Sequence, residues 1–258
     1  MSTLARTGFK ATCHILREDT DLADAISLER REAAIAQCTA REIRLPTGEG
    51  VSESSPLQSG LGILVLGGLL IRRVGIDGRF GAELLGEGDL LRPWQWETDS
   101  ATLPLEMAWS IVEPARLALL DDEFARRCIG SFPELASPLV GRAMQRARNL
   151  AVNMAIVHQA RVDVRIHMLL WHLAGRWGRV RSEGTVVRMR LTHAVLADLV
   201  AARRPTVTSA ISELVKGGLI QTGGDEWVLF GDPPGELARL GGDLAGAAPK
   251  AHQVASGS

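Results

Sequence analysis

The chain has 258 residues, 46% of them hydrophobic and 23% charged, with a formal net charge of −1. That length fits one large domain or two small ones, and the composition excludes a disordered or collagen-like polymer. No apolar run approaches the roughly 18 residues that a membrane span needs; the longest, residues 61–71, is interrupted by glycines. Asp19, Asp21 and Asp24 follow a weakly apolar start, so no signal peptide is expected. Three widely spaced cysteines, Cys13, Cys38 and Cys128, supply neither a disulfide framework nor a CxxC metal pair. A cytoplasmic protein without membrane contact is expected.

The near-zero net charge conceals a segregation. Residues 1–140 carry 14 basic and 21 acidic side chains, residues 141–216 carry 13 and 4, and residues 217–258 carry 2 and 5. Twelve of the 13 cations in the middle segment are arginines. An acidic module joined to a basic one suggests that the basic part meets a polyanion. The plainer alternative is a solvated helix surface.

In chain order, residues 17–40 read as helical, with Leu22, Ile26 and Leu28 spaced through a polar background. From Arg41 to Leu120, glycines separate short apolar runs, which is the pattern of strands joined by hairpins. Leu61–Leu66 reads as one strand and Leu69–Val74 as the next. Asp77-Gly78 is a hairpin turn, and Met107–Leu120 closes the series. The Gly60–Gly68 stretch lacks both GxGxxG spacing and GK[ST], so it is no phosphate loop. A long helix is expected to start at Ser137-Pro138, a good cap followed by proline at the first helical position. Along it Val140, Ala143, Ala147, Leu150, Met154 and Val157 recur at alternating steps of three and four, and the seam continues to Arg161. A stripe that narrow is the signature of a coiled-coil dimer. A broader apolar helix follows through Ile166, Leu169, Leu170, Leu173 and Ala174, ending at residues 175–178.

Thr185–Leu191 alternates as a strand should. Thr192 caps a short helix whose apolar face is Val195, Leu196, Leu199 and Val200. After a tight turn at residues 201–204, Pro205 opens the next helix, carried by Val207, Ala210, Ile211 and Leu214 and ended by Gly217-Gly218. Residues 219–230 form a small hairpin around Gly223-Gly224-Asp225. Two short helices, a tight turn and a hairpin make a winged helix-turn-helix. Arg203, Arg204, Thr206, Thr208 and Ser209 gather at the start of its second helix, and Thr192 starts the first. Arginine can reach guanine in bidentate fashion and hydroxyls can meet phosphate, so double-stranded DNA is the expected partner.

At residues 191–220 the sequence resembles the ungapped helix-turn-helix signature of the Crp/Fnr family of bacterial transcription regulators. The resemblance extends over about residues 15–232, and Gly86-Glu-Gly-Asp-Leu-Leu91 is similar to the family's Gly-Asp turn. It implies an α+β chain: an N-terminal β-roll (a cupin-like jelly roll, similar to a cyclic-nucleotide-binding domain) over residues 15–136, a dimerisation helix over 137–162 and a C-terminal winged helix-turn-helix over 163–232; beyond it, the Gly/Ala/Ser-rich composition of residues 241–258 reads as a disordered tail. The resemblance also implies a homodimer on a palindromic operator, with RNA polymerase as a further partner. Arg204 matches the family's base-reading arginine and Thr206 a phosphate-contacting or supporting position. Pro205 replaces a usual glutamate, and Ser209 stands where another arginine occurs, so the operator sequence does not carry over.

The sensor departs further from the family. Arg92-Pro93-Trp94 replaces the Gly-Glu pair that holds a cyclic nucleotide's ribose, and Leu105-Glu106 replaces the Arg-Ser pair that holds its phosphate. A carboxylate there repels phosphate, so cyclic AMP is not an expected ligand. No cysteine cluster suits an iron–sulfur centre, Cys13-His14 makes no case for haem, and the histidines have no metal-ligand spacing. No cofactor is expected. Trp94, Trp96 and Trp109 could line a pocket for a small-molecule effector, or simply pack. Two other functions compete with the regulator. A β-roll enzyme needs a His/Glu cluster, yet residues 41–120 contain no histidine. A winged helix that binds proteins instead of DNA would lack steep salt dependence.

Overall fold

The computed structural model describes residues 11–49, 59–76, 79–92, 106–235 and 237. The chain divides into two compact units, Met1–Ala151 and Val152–Ser258.

The first unit is an antiparallel sheet with helices at both ends of its sequence. Its strands are β1 (Ala11–His14), β2 (Thr39–Leu45), β3 (Gly48–Glu49), β4 (Gly62–Ile76), β5 (Arg79–Leu85), β6 (Leu90–Leu91) and β7 (Glu106–Leu120). The order is β1-β2-β7-β4-β5, with β3 on β7 and β6 on β4. The long apolar runs are explained by burial of both faces. Leu64, Leu66, Ala118 and Leu120 enter one core with Ile15, Leu22, Phe124 and Leu135. Their neighbours Ile63, Val65, Leu117 and Leu119 enter a second core with Ile43, Leu85 and Ile111. Successive side chains of a strand point to opposite faces, so each strand feeds both cores.

Three local expectations are corrected. Leu61–Leu66 and Leu69–Val74 are not two strands: β4 runs through both, with irregular register against β7 between Val65 and Leu70. Gly67-Gly68 forms a bulge there instead of a turn. Gly68 has φ +86°, and a Cβ on it would lie 2.2 Å from the Pro114 carbonyl oxygen, so the close passage of β7 requires glycine. Residues 17–40 are not one helix. They hold α1 (Ile15–Glu18), α2 (Thr20–Ala23) and α3 (Leu28–Gln37), broken where Asp19 turns extended and accepts the Leu22 N–H on its carboxylate. The turn at Asp77-Gly78 lies outside the described residues, although β4 and β5 pair up to Ile76 and Arg79.

After β7 come α4 (Asp122–Phe124), a π-helical turn at Ala125–Ile129, a 3₁₀ turn at Pro133–Leu135 and the long helix α5 (Ala136–Val157). Because the 3₁₀ turn runs straight into α5, Ser137 is inside the helix and does not cap it, a third correction. Glu83 of β5 anchors α5: it accepts two hydrogen bonds from Arg146, at 2.7 and 3.0 Å, and pairs with Arg72 of β4 at 2.8 Å. Burial lowers the pKa of Arg72, and Glu83 opposes that shift; the bidentate geometry compensates the desolvation of these charges.

The second unit contains α6 (Val162–Trp177), β8 (Arg179–Arg181), β9 (Gly184–Arg188), α7 (His193–Leu199), α8 (Arg204–Lys216), β10 (Ile220–Gly223) and β11 (Glu226–Leu229). Its sheet order is β10-β11-β9-β8. The core is made of Ile166, Leu169, Leu170 and Leu173 of α6, Leu196 and Leu199 of α7, and Val207, Ile211 and Leu214 of α8, all nearly inaccessible. β8 was not anticipated from the sequence; its three residues are all exposed, so no burial pattern announces it.

Candidate nucleic-acid interface

The turn between α7 and α8 is held from three sides. The Thr192 hydroxyl accepts the Val195 N–H at 3.2 Å, the N-cap bond expected of it. Ala201 adopts φ +51°, the left-handed region that lets the chain reverse. The Arg165 guanidinium donates to the carbonyls of Val200 and Ala201 at 3.1 and 3.4 Å. Ala197, 8% exposed, leaves room for the turn, and its carbonyl accepts the Ala202 N–H at 3.0 Å.

Helix α8 then buries Val207, Ala210, Ile211 and Leu214 and exposes Arg203, Arg204, Pro205, Thr206, Thr208 and Ser209. No side chain caps its N-terminus. The first-turn N–H groups therefore remain available at the positive end of the helix dipole, a natural seat for an anionic oxygen. Arg203 and Arg204 are paired with no carboxylate among the described residues. Ser209 donates back to the Pro205 carbonyl at 3.3 Å.

Thr208 behaves differently. Its hydroxyl donates to the Arg204 carbonyl at 3.1 Å, and His193 Nδ1 lies 2.9 Å from the Thr208 hydroxyl oxygen. With the hydroxyl proton already used, the imidazole must be the donor, which places a proton on Nδ1. His193 thus ties the start of α7 to the first turns of α8. The sequence reading passed over this residue because the contact crosses the turn, and only the period of both helices together could have suggested it.

The hairpin carries further cations that went unread: Arg179, Arg181 and Arg188. Arg188 pairs with Glu226 at 2.9 Å, and Arg181 lies 3.7 Å from Glu183 and 3.9 Å from Glu226.

On α5, Val140, Met144 and Met154 are 59%, 66% and 64% exposed, and Ala143 and Ala147 are exposed too. Leu150 and Val157 are half-buried, and Arg161 lies beyond the helix, paired with Asp163 at 2.5 Å. Met144 was not assigned to the seam. The exposed apolar line therefore includes residues 140, 144, 147 and 154. Trp109 is half-buried against the second sheet core, with the Arg72 guanidinium 5.8 Å from its ring centre. Trp94 and Trp96 lie outside the described residues. Cys13 and His14 are each engaged with a backbone carbonyl, of Ala40 and Ile35 respectively. Among the described residues no group of three or more potential metal ligands occurs, and no helix is long and apolar enough to cross a membrane.

Residues 164–235 match the Crp-like helix-turn-helix domain. That span covers α6 to the end of the hairpin, the elements just assembled. The C-terminal unit thus carries a helix-turn-helix similar to that of Crp-like regulators. The matched unit is accordingly a DNA-binding helix-turn-helix of the kind that transcription regulators carry. Among curated relatives the chain is similar to the CRP-like cAMP-activated global transcriptional regulator of Mycobacterium tuberculosis, with 28% identity over 209 residues, covering 78% of this chain and 89% of that protein. Among solved structures it is similar to a CooA mutant from Carboxydothermus hydrogenoformans, at TM-score 0.59 and 14% identity, over 91% of this chain and 96% of that one. It is also similar to a cyclic nucleotide-binding domain containing protein from Listeria monocytogenes, at TM-score 0.59 and 14% identity, over 81% and 96% of the two chains. These two likenesses establish the fold: an antiparallel sheet unit, a long helix, and a helix-turn-helix with a small sheet.

Proposed function

We propose that this protein is a transcription regulator of the Crp/Fnr family, acting in the cytoplasm as a homodimer that reads a palindromic operator with Arg203, Arg204, Thr206 and Ser209, and that its sensor does not answer to cyclic AMP. The observation that carries the DNA reading is the exposed first turn of α8, where two uncompensated guanidinia meet uncapped N–H groups. Arg204 reads a base, while Thr206 and the free N–H groups take phosphates. Thr208 and Thr192 serve chiefly as supports, because Thr208 is bonded to His193 across the turn and Thr192 caps α7. The dimer is supported by the apolar line on α5, which an isolated chain would leave in water. Two-fold symmetry then requires matching half-sites about one helical turn apart. A regulator so placed acts on transcription through RNA polymerase, and an effector beside Trp109 would be the input of the sensor.

The test is a salt titration of the full chain on a duplex selected from a random pool. Contacts with several phosphates should lower affinity by orders of magnitude between about 50 and about 200 mM salt, and the selected sites should be palindromic. Binding indifferent to salt, or selection that returns no symmetric site, would overturn the reading.

A further inference from the structure

The Arg165 guanidinium does more than hold the turn between α7 and α8. Its Nε–H donates to the Gln159 carbonyl at 2.6 Å, while Nη1 donates to the carbonyls of Val200 and Ala201 at 3.1 and 3.4 Å. These acceptors belong to two segments far apart in sequence. Gln159 lies in the short link between α5 and α6 and closes the end of α5. Its N–H donates to the Ile156 carbonyl at 3.1 Å and its side-chain amide to the Ala155 carbonyl at 3.4 Å. Val200 and Ala201 end α7 and turn the chain towards α8. There the Val200 N–H donates to the Leu196 carbonyl at 2.9 Å and the Ala202 N–H to the Ala197 carbonyl at 3.0 Å. Ala201 holds φ +51°, a backbone that an alanine keeps only when its surroundings fix it. The Arg165 N–H itself donates to the Arg161 carbonyl at 3.1 Å in the first turn of α6. A guanidinium is planar and rigid, so Nε and Nη1 keep their acceptors at a fixed separation. A cation is also favoured at the carbonyl end of a helix such as α7. All of these groups lie in the second unit.

We propose that Arg165 is the positioning residue that makes half-site spacing a determinant of DNA recognition: it fastens the end of α5 to the turn before α8, so that each reading turn is carried at one distance and one angle from the helix through which two copies pair. The inference rests on the reading of the protein as a homodimer on a palindrome. In such a dimer the two recognition helices are placed by the path from the α5 seam to the first turn of α8. The covalent path is long, running through α6, β8, β9 and α7. The Arg165 fork crosses it directly. Without the fork, the link at residues 158–161 and the turn at residues 200–203 would each add freedom to the placing of Arg204. Arg165 touches no DNA in this role and acts through the turn that it holds. Hydrogen bonds from a charged donor are the strong ones, which suits them to that task. One extra base pair between half-sites moves one of them by about 3.4 Å along the duplex and turns it about the axis. A dimer with rigid links refuses such a site, and one with loose links accepts it.

The test uses the full chain, unaltered and as Arg165→Gln and Arg165→Lys. Each is titrated on the duplex that the unaltered protein selects, on versions with one base pair added to or removed from its centre, and on a scrambled duplex. Arg165→Gln should weaken the selected duplex by about tenfold or more. It should bring the altered spacings level with the native one and leave the scrambled duplex nearly unchanged. Arg165→Lys keeps the charge without the fork, so it should lose the spacing preference as well. A spacing preference undiminished in Arg165→Gln would overturn the proposal. So would full rescue by lysine, because a point charge would then suffice. Hydrogen exchange of the unaltered protein without DNA gives a second reading that needs no variant to fold. The amides of Gln159, Val200 and Ala202 should open together with matching protection. In Arg165→Gln that protection should fall in both segments while Ile211 and Leu214 of α8 keep theirs. Opening of the two segments at different free energies would show that the fork does not join them. A wild type that selects no symmetric site would sink the homodimer reading and the spacing role with it, whereas a symmetric site bound by Arg165→Gln with the wild-type spacing preference would sink the spacing role alone.

Discussion

Arg204 stands in the first turn of α8 with an exposed guanidinium and no carboxylate partner among the described residues. A bidentate arginine–guanine contact is worth about 1–3 kcal/mol of discrimination. Arg204→Ala should therefore weaken the selected operator by roughly tenfold to a hundredfold, leave non-specific duplex binding much less affected, and leave the dimer intact. Parallel gel-shift titrations on the operator and a scrambled duplex check this; equal losses on both would make Arg204 a phosphate contact. A second residue-scale prediction concerns His167 and His172 of α6. Burial lowers the pKa of both, that of His172 to about 4 from an ordinary 6.5, with Arg176 adding to the shift. The Trp171 indole N–H donates to His167 Nε2 at 3.0 Å, a bond that a protonated ring cannot accept. The unfolded chain thus binds protons that the folded one refuses. This stability is complete above about pH 6.5 and lost as pH falls towards 4, to the extent of about 3 kcal/mol for His172. Melting curves across that window should fall more steeply for the wild type than for His172→Gln. Parallel curves would show that the imidazole is not buried as neutral.

At the scale of elements, what could be read from sequence depended on whether the deciding contacts were local. The helix-turn-helix was legible because its signals are contained in single segments: the Thr192 cap, Pro205 in the first turn, and the apolar spacing of Val207, Ala210, Ile211 and Leu214. Gly67-Gly68 was misread because a turn and a bulge share the same local residues; only the passage of β7 at Pro114 distinguishes them. β1 and β8 are too short to show alternation, and the His193–Thr208 contact joins residues that no short window contains. The α5 seam shows the same limit. A series of steps of three and four fits two frames, and the exposure of Met144 beside the half-burial of Leu150 shifts the free face by about one residue. Met144→Glu with Met154→Glu therefore tests the dimer better than a change at Val157, whose half-buried side chain would also disturb the fold. Paired carboxylates in a desolvated seam are costly. Sedimentation should show a folded monomer with an unchanged circular dichroism spectrum, and a persistent dimer would move the interface off this face. Gly68→Ala should destabilise the sheet unit by about 2–3 kcal/mol through steric conflict and strain at φ +86°, measurable as a lower denaturation midpoint.

For the molecule as a whole, the open question is what the sheet unit reports to the DNA-binding unit. The mycobacterial relative is described as cAMP-activated, so cyclic AMP is the ligand to challenge first. A cyclic phosphate needs a cation or a set of backbone donors in a site shielded from water. Of the cassette where the family places them, Pro93 to Leu105 lie outside the described residues, and Glu106 opens β7 as an exposed carboxylate opposite Gly75. The guanidinia buried between β4, β5 and α5, those of Arg72 and Arg146, are both bound to Glu83. A phosphate entering there would have to displace a carboxylate that already pairs with both. A ligand shifts a two-state equilibrium only by its difference in affinity for the two states, and one that scarcely binds has no difference to contribute. Calorimetry of the full-length protein with cyclic AMP and cyclic GMP, each at about millimolar concentration, should show no saturable heat, and operator affinity should be the same with and without them. Saturation in the micromolar range together with a changed operator affinity would mean that Glu83 yields its arginines to phosphate, and Glu83→Gln should then tighten the nucleotide further.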